Sequence, residues 1–335
     1  MRIGLSYDLK ECVAPFSGGA DDAAEEYDSP GTVVALARAI EGQGHTVIQL
    51  GGGADFLRRV LEERPDFVFN IAEGRGTYRS REAQVPAVLE MLGIPYSGSD
   101  PLTLAVCLDK PLAKRLVAGV GIPTPACAVV ERLEDLASAE LAKLRYPLFI
   151  KPAWEGSSKG VRLASKLASR EQLAPAATAI LEAYRQPALV EEFIEGDEYT
   201  VGLIGNAPAQ VIGVMRILPK KPSPDFIYSM EVKRDWERLV DYECPPKVPA
   251  DLRRRLEGLS LAAYRTLGVR DLARVDFRVD GADRPFFLEV NPLPGLAPHY
   301  GDLPLLAHKM GWSYEGLIKA ILAAAGERCK LPCAG

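Results

Sequence analysis

The chain has 335 residues, 47% of them hydrophobic and 25% charged, with a net charge of −5. That length implies two or three domains with well-formed cores, and the mild acidity excludes a general electrostatic pull toward nucleic acid or anionic membranes. No stretch approaches the roughly 20 apolar residues needed to span a bilayer, and the opening MRIGLSYDLKE turns polar too early for a signal-peptide core.

Residues 1–7 (MRIGLSY) read as a strand, and TVVALARAIEGQG places apolar residues at helical spacing before a closing glycine. HTVIQL and FLRRVLEERP repeat that alternation. DFVFNIAE is a third strand, REAQVPAVLEMLG a third helix and IPYSG a short fourth strand. Strands alternating with helices predict parallel βαβ units in a doubly wound sheet. Such sheets bind ligands beyond the carboxyl ends of their strands, here around Tyr7, Asp8 and residues 72–75.

SDPLTLAVCLDKPLAKRLVAGVGIPTP reads as a linker followed by a helix that Gly121, Pro123 and Pro125 close. A second, α+β region begins near Ala126. PLFIKPAWEGSSKGVRLAS is its strand–loop–strand unit, a helix covers 174–184, and PALVEEFIEGDEYTVGLIG supplies two more strands. From Asn206 to Val248 strands are interrupted by LPKKPSPDF. LRRRLEGLSLAAYRTLG is an amphipathic helix, RVDFRVDGADRPFFLEVN a hairpin turning at 281–283, and YEGLIKAILAAAG a closing helix. The six cysteines (Cys12, Cys107, Cys127, Cys244, Cys329 and Cys333) form no CxxC pair and read as reduced thiols of a cytoplasmic protein. Cys329 and Cys333 lack nearby histidines and make a poor metal site.

Asp276, Glu289 and Asn291 are oxygen donors on the hairpin. Side chains alternate along a strand, so Glu289 and Asn291 share a face that Asp276 joins if the arms pair about the turn. Hard oxygen ligands on a rigid sheet suit Mg²⁺, which takes further ligands from nucleotide phosphates; the alternative is a solvated sheet face. In the loop EGSSKGV, small residues let backbone N–H groups close on an anion, and Ser157 and Ser158 add hydroxyls. It is not a Walker A loop, and an ordinary hairpin loop is the alternative. Lys151 sits on an apolar strand, where an ammonium without a partner is costly and a phosphate supplies one.

LDKPLAK, FIKPAWEGSSKGV, VEEFIEGDEYTV, RVDF and LEVNPLPG occur in an order and spacing that resembles the ATP-grasp superfamily, specifically the D-alanine–D-alanine ligase family, from about Leu89 to the closing helix. The resemblance implies an α/β chain: an N-terminal doubly wound parallel-sheet (pre-ATP-grasp) domain at 1–106, then a two-subdomain α+β ATP-grasp fold. That fold comprises a central lid at 107–205, a C-terminal subdomain with the metal site at 206–330, and a tail at 331–335. It implies an ATP-dependent carboxylate–amine ligase working through an acyl phosphate on small-molecule acid and amine substrates, amino acids or dipeptides, as a homodimer. Lys110 and Lys151 are expected on the ATP phosphates, Ser157 and its neighbours over them, Glu191, Glu192, Phe193 and Ile194 at the adenine, and Glu198 at the ribose. An acidic strand edge is the alternative for EEFIEGDE. Lys233 matches the lysine of a mobile loop over the γ-phosphate. Asp276, Glu289 and Asn291 match ligands for two Mg²⁺, which Mn²⁺ can replace. Arg274 matches the arginine that stabilises the tetrahedral intermediate, Gly295 offers an oxyanion N–H, and His299 stands where the family also has a histidine.

The substrate side departs from the family. The usual glycine–glycine–x–serine signature, whose glutamate holds the first substrate's ammonium, is replaced by SYDLKECVAPFSGGADDAAEEYDSPGTV. There Glu26 or Asp28 serves as the ammonium partner, or both are charges favoured by the helix dipole. Glu73 replaces a histidine. Arg79 and Arg81 replace acids, either as carboxylate clamps or as exposed helix-flank charges. Tyr300 stands where D-alanine ligases have a small serine, and KRDW replaces a lysine–tyrosine pair. D-alanine–D-alanine ligation and the same chemistry on another amino acid or specialised metabolite therefore both remain open. A non-catalytic ATP-binding regulator is opposed by the intact Lys151, Arg274, Asp276, Glu289 and Asn291.

Overall fold

The computed structural model describes residues 1–12, 20–221, 223 and 226–331. Cys333 and the tail beyond 331 lie outside them, as do parts of the N-terminal stretch and of LPKKPSPDF that the sequence analysis singled out.

Three sheets organise the chain. The first is parallel, in order β2-β1-β3, from β1 (Arg2–Ser6), β2 (Thr46–Gly51) and β3 (Phe67–Asn70). All of β3 and all of β1 beyond Arg2 are buried, as expected of a sheet covered on both faces. The helix Pro30–Glu41 covers one side with the closing helix Tyr314–Cys329, sharing a core of Ile3, Leu5, Leu36, Ile40 and Ile321. Gly53–Glu63 and Gln84–Leu92 cover the other. The expected fourth strand IPYSG is reduced to a single bridge, Val68 to Tyr96. Gly98 turns the chain away at φ 89°, and its N–H donates to Asp271 at 2.8 Å.

The part read as a linker is itself helical, and the helix expected before Gly121 follows it. Asp100 and Asp109 cap the helices Pro101–Leu108 and Lys110–Gly119, accepting from Thr103 and Leu112 N–H groups, with proline in each first turn.

The second sheet, β4-β7-β5-β6, comprises β4 (Cys127–Val130), β5 (Leu148–Pro152), β6 (Lys166–Leu167) and β7 (Ala188–Glu192). The strand expected after EGSSKGV is mostly a turn, leaving only two residues in β6.

The third sheet is antiparallel, β10-β9-β8-β11-β12, from β8 (Gly196–Ile204), β9 (Gln210–Pro219), β10 (Val240–Glu243), β11 (Leu272–Asp280) and β12 (Pro285–Asn291). β8, grouped with the central segment by sequence, pairs with β9 and β11 here. Asp280 closes the hairpin turn, its Oδ1 accepting from the N–H groups of Ala282 (3.0 Å) and Arg284 (2.9 Å). The short helices Met230–Arg234 and Trp236–Leu239, and the helix Asp302–Lys309, were not anticipated. In the last of these Pro304 falls in the first turn, where its missing N–H is harmless.

Candidate active site

The hairpin register sets Asp276 opposite Glu289 and Arg274 opposite Asn291, so these four side chains share one face. Asp276 accepts from Thr200 Oγ1 at 2.5 Å, Asn291 Nδ2 at 3.0 Å and Arg274 Nε at 3.0 Å. Lys110, from the start of its helix, reaches Glu289 at 3.2 Å and donates to the Glu155 carbonyl. Burial would raise the Glu289 carboxyl, but the Lys110 and Lys151 ammoniums outweigh it and hold the group at about 2. For Asp276 burial prevails over Arg274, and its carboxyl is raised.

Asp276 and Glu289 on this face form part of one wall of a cleft. The cleft gathers Lys110, Lys151, Ser158, Glu191, Glu192, Phe193, Ile194, Glu198, Asp276 and Glu289, all predicted from sequence. Lys151 lies 3.0 Å from Glu191, whose other oxygen is 2.6 Å from Lys114. Burial raises Glu191, but the two lysines overcome it and bring the carboxyl below its ordinary value. Glu192, next along β7, turns to the opposite face and pairs with Arg145 at 2.8 Å. Phe193 carries cations at its ring, Lys166 at 4.2 Å and Arg278 at 4.6 Å from the centroid. Burial, reinforced by the Asp276 and Glu289 charges against Arg278, pushes Glu198 up to about 7.

A second, open cavity adjoins the first and shares Tyr228 with it. It brings together Glu26, Asp28, Glu73, Ser157, Lys233, Arg274, Asn291, Gly295 and Tyr300. Lys233 sits on the helix Met230–Arg234, not in an irregular loop, with its ammonium 5.0 Å from the Tyr228 ring centroid. Ser157 and Ser158 adopt left-handed φ of 50° and 59°, a conformation uncommon for non-glycine residues. Ties on two sides hold that loop. Gly160 N–H donates to Asp22 (2.9 Å), Lys159 to Glu26 (2.9 Å), and Met230 N–H to the Val161 carbonyl (2.9 Å).

Three predicted substrate residues do not line either cavity. Arg81 is 1% exposed and braces Glu26 (2.7 Å) and Glu155 (3.0 Å). Arg79 pairs with Asp109 at 3.3 Å on the surface, and His299 is exposed. Sequence reasoning passed over Lys114, Lys159, Arg278, Tyr228 and Asp302. Lys114 was within reach, because it follows Lys110 by one helical turn. Asp302 lies 2.6 Å from Arg274 across 28 residues, with no local pattern to mark it.

Asp276, Glu289 and Asn291 fit a hard cation in donor chemistry: two carboxylates and an amide on one half-buried sheet face. Among the described residues no group of three or more His, Cys, Asp or Glu side chains closes on a metal unaided. A set this sparse leaves coordination positions for phosphate oxygens.

A family model described as D-ala D-ala ligase C-terminus matches residues 116–323. The chain is 34% identical to the uncharacterized protein y4sG of Sinorhizobium fredii, over 95% of this chain and 96% of that one. It is 31% identical to the D-alanine–D-alanine ligase of Pelotomaculum thermopropionicum, over 88% of this chain and 91% of the relative. The crystal structure of D-alanine–D-alanine ligase from Bacillus anthracis superposes with a TM-score of 0.77 at 26% identity, covering 98% of this chain and 99% of the other.

Proposed function

Because the chain belongs to the D-alanine–D-alanine ligase family, it is an ATP-dependent carbon–nitrogen ligase yielding ADP and phosphate, and we propose that its two cavities are the nucleotide and substrate halves of one active site. The observation that carries this reading is the Arg274–Asp276 pair at 3.0 Å: Asp276 lines the first cavity and Arg274 the second. Phosphoryl donor and acceptor therefore meet at a fixed guanidinium.

In the first cavity Glu191, Phe193 and Ile194 flank the adenine, with Glu192 contributing backbone groups while its side chain pairs with Arg145, and Glu198 takes the ribose hydroxyls. Lys110 and Lys151 offset phosphate charge, and Ser157 and Ser158 close over it. Asp276, Glu289 and Asn291 would hold Mg²⁺, two ions by resemblance with Mn²⁺ as a substitute, and the metal when bound neutralises phosphate oxygens. The first substrate's carboxylate attacks the γ-phosphorus, the bond to ADP breaks, and an acyl phosphate forms. The second substrate's amine attacks the acyl carbon, and the tetrahedral intermediate expels phosphate. Arg274 and the Gly295 N–H face the negative oxygen of that intermediate, favouring the transition state over the ground state. Lys233 closes the γ-phosphate end from the side of Tyr228. A nucleotide sensor that catalyses nothing has no use for Arg274.

The substrates are amino acids or dipeptides, and Tyr300 on the cavity rim (55% exposed) points to a pair other than two D-alanines. Within this reading the pre-ATP-grasp domain spans 1–106, the lid ends with β7, and the C-terminal subdomain begins at β8. A cytoplasmic homodimer is what the resemblance supports, and solution mass checks it. A phosphate-release screen over amino-acid and dipeptide pairs with Mg-ATP tests the function; no stimulation by any pair overturns it.

A further inference from the structure

Six carboxyl groups line the second cavity (Glu25, Glu26, Asp28, Glu73, Glu82 and Asp302) against four basic side chains (Lys10, Lys233, Arg234 and Arg274). Asp28 precedes the helix Pro30–Glu41, Glu73 follows β3, and Glu82 lies in the turn Arg81–Ala83. All three line this cavity at the carboxyl ends of the parallel strands. Among the described residues, none of the three has a side-chain hydrogen bond or ion pair, although Glu82 is only 7% exposed. Most neighbouring cations are paired with other acids: Arg81 with Glu26 and Glu155, Lys110 with Glu289, Lys10 and Arg234 with Glu25, and Arg274 with Asp276 and Asp302, while Lys233 lies over the Tyr228 ring. Burial together with nearby carboxylates raises all three acids, Glu82 and Asp28 to about 7 and Glu73 well above its ordinary value. Tyr27, Tyr228, Trp236 and Tyr300 complete the wall, and aromatic faces beside carboxylates are a setting for ammonium groups.

The geometry points to a basic substrate: one of the two amino acids carries an ammonium on its side chain, held by Glu82 and Glu73, in addition to its α-amino group. A single α-ammonium answers one carboxylate; three without partners call for a further cation. This inference rests on the ligase reading and adds the substrate class to it.

The test compares lysine and ornithine, in both enantiomers, with norleucine, which has a similar chain and no side-chain ammonium. Thermal-shift binding to the full chain is read first. Lysine or ornithine is expected to stabilise the wild type more than norleucine does, and Glu82→Gln and Glu73→Gln to abolish the difference. Glu82→Gln keeps the shape of a buried carboxyl that makes no side-chain hydrogen bond among the described residues, so it is expected to fold with an unchanged or raised Tm; loss of response then reports recognition, not collapse. In phosphate release with Mg-ATP, the basic amino acid is expected to exceed norleucine in kcat/KM by roughly tenfold or more, falling to near parity in Glu82→Gln. Equal stabilisation by lysine, ornithine and norleucine, or an intact preference in both variants, overturns the inference. A wild type that turns over neutral pairs but ignores basic ones overturns it while sparing the ligase reading. Absence of phosphate release with every pair overturns the ligase reading, and the binding comparison then still decides this one.

Discussion

Arg274 holds two carboxylates at once, Asp302 at 2.6 Å and Asp276 at 3.0 Å. The pairing fixes the guanidinium and, despite burial, keeps it firmly protonated. A fixed charge needs little reorganisation when an oxyanion develops beside it. Arg274→Lys, which keeps charge and loses the planar fork, is expected to lower kcat roughly 10²–10³-fold, the range for losing one oxyanion donor. Because Arg274 lines the substrate cavity, nucleotide affinity should stay nearly unchanged. Nucleotide titration beside steady-state kinetics checks this; a loss of ATP affinity as large as the loss of kcat would show that Arg274 serves the nucleotide.

Glu289→Ala is expected to abolish phosphate release with every substrate pair. The change removes an oxygen donor opposite Asp276 and releases Lys110 from its 3.2 Å contact. Glu289→Gln separates the two effects, since it keeps an oxygen and removes the charge. Activity surviving in Glu289→Ala would refute the metal assignment.

The Asp276, Glu289 and Asn291 face was legible because strand alternation and a two-arm hairpin fix orientation from sequence spacing alone. The cleft residues from Lys110 to Glu198 were legible as motifs in series. What escaped was set by long-range geometry. Asp302 meets Arg274 through a helix whose early proline disguised it, and Arg81 is drawn inward by Glu155, 74 residues on. A strand's short apolar run does not distinguish a sheet member from one bridge, so IPYSG was overread. The helix Lys110–Gly119 was legible from its closing glycine and prolines, whereas Pro101–Leu108 was hidden by Asp-Pro, which marks a helix start as readily as a linker.

Arg81 and Glu26 form a buried pair with side chains 1% and 2% exposed. Removing Arg81 leaves two buried carboxylates, Glu26 and Glu155, to share the single ammonium of Lys159, and breaking a buried pair costs up to about 3–5 kcal/mol. Arg81→Ala should therefore lower Tm sharply and loosen the EGSSKGV loop through Lys159, which shares Glu26 at 2.9 Å. Arg81→Met together with Glu26→Leu should recover most of the loss, because an apolar pair leaves neither charge unanswered. Denaturant unfolding of the single and double variants measures both.

Acid titration gives Asp28 and Glu26 opposite signs. Burial and the Asp8 charge lift Asp28 to about 7, so between roughly pH 4, where an unfolded Asp ionises, and 7 the native chain holds a proton that the unfolded chain has lost. Stability from this group is full below that window and declines as pH rises through it. Glu26 is held low because Arg81 and Lys159 outweigh its burial, so its contribution is present above the ordinary glutamate range and is lost on acidification. Asp28→Asn is expected to flatten the decline of Tm between about pH 4 and about pH 7 and leave the loss due to Glu26 unchanged. An unaltered profile would mean that Asp28 is ionised in the native state.

Tyr300 lines the rim of the substrate cavity beside Gly295 and Gly301. Its ring occupies space that a smaller side chain would open, and no hydrogen bond fixes it among the described residues. Discrimination by pocket volume is worth about 1–3 kcal/mol per methylene-sized change, or roughly 10–200-fold. Tyr300→Ser should therefore move acceptor preference toward smaller amines by roughly tenfold in kcat/KM, with kcat for the phosphorylation half-reaction nearly unchanged. Competition between a small and a large amino acid, followed by product mass, reads the ratio directly. An unchanged ratio would place the acceptor elsewhere in the cavity, on the side of Trp236 and Tyr242.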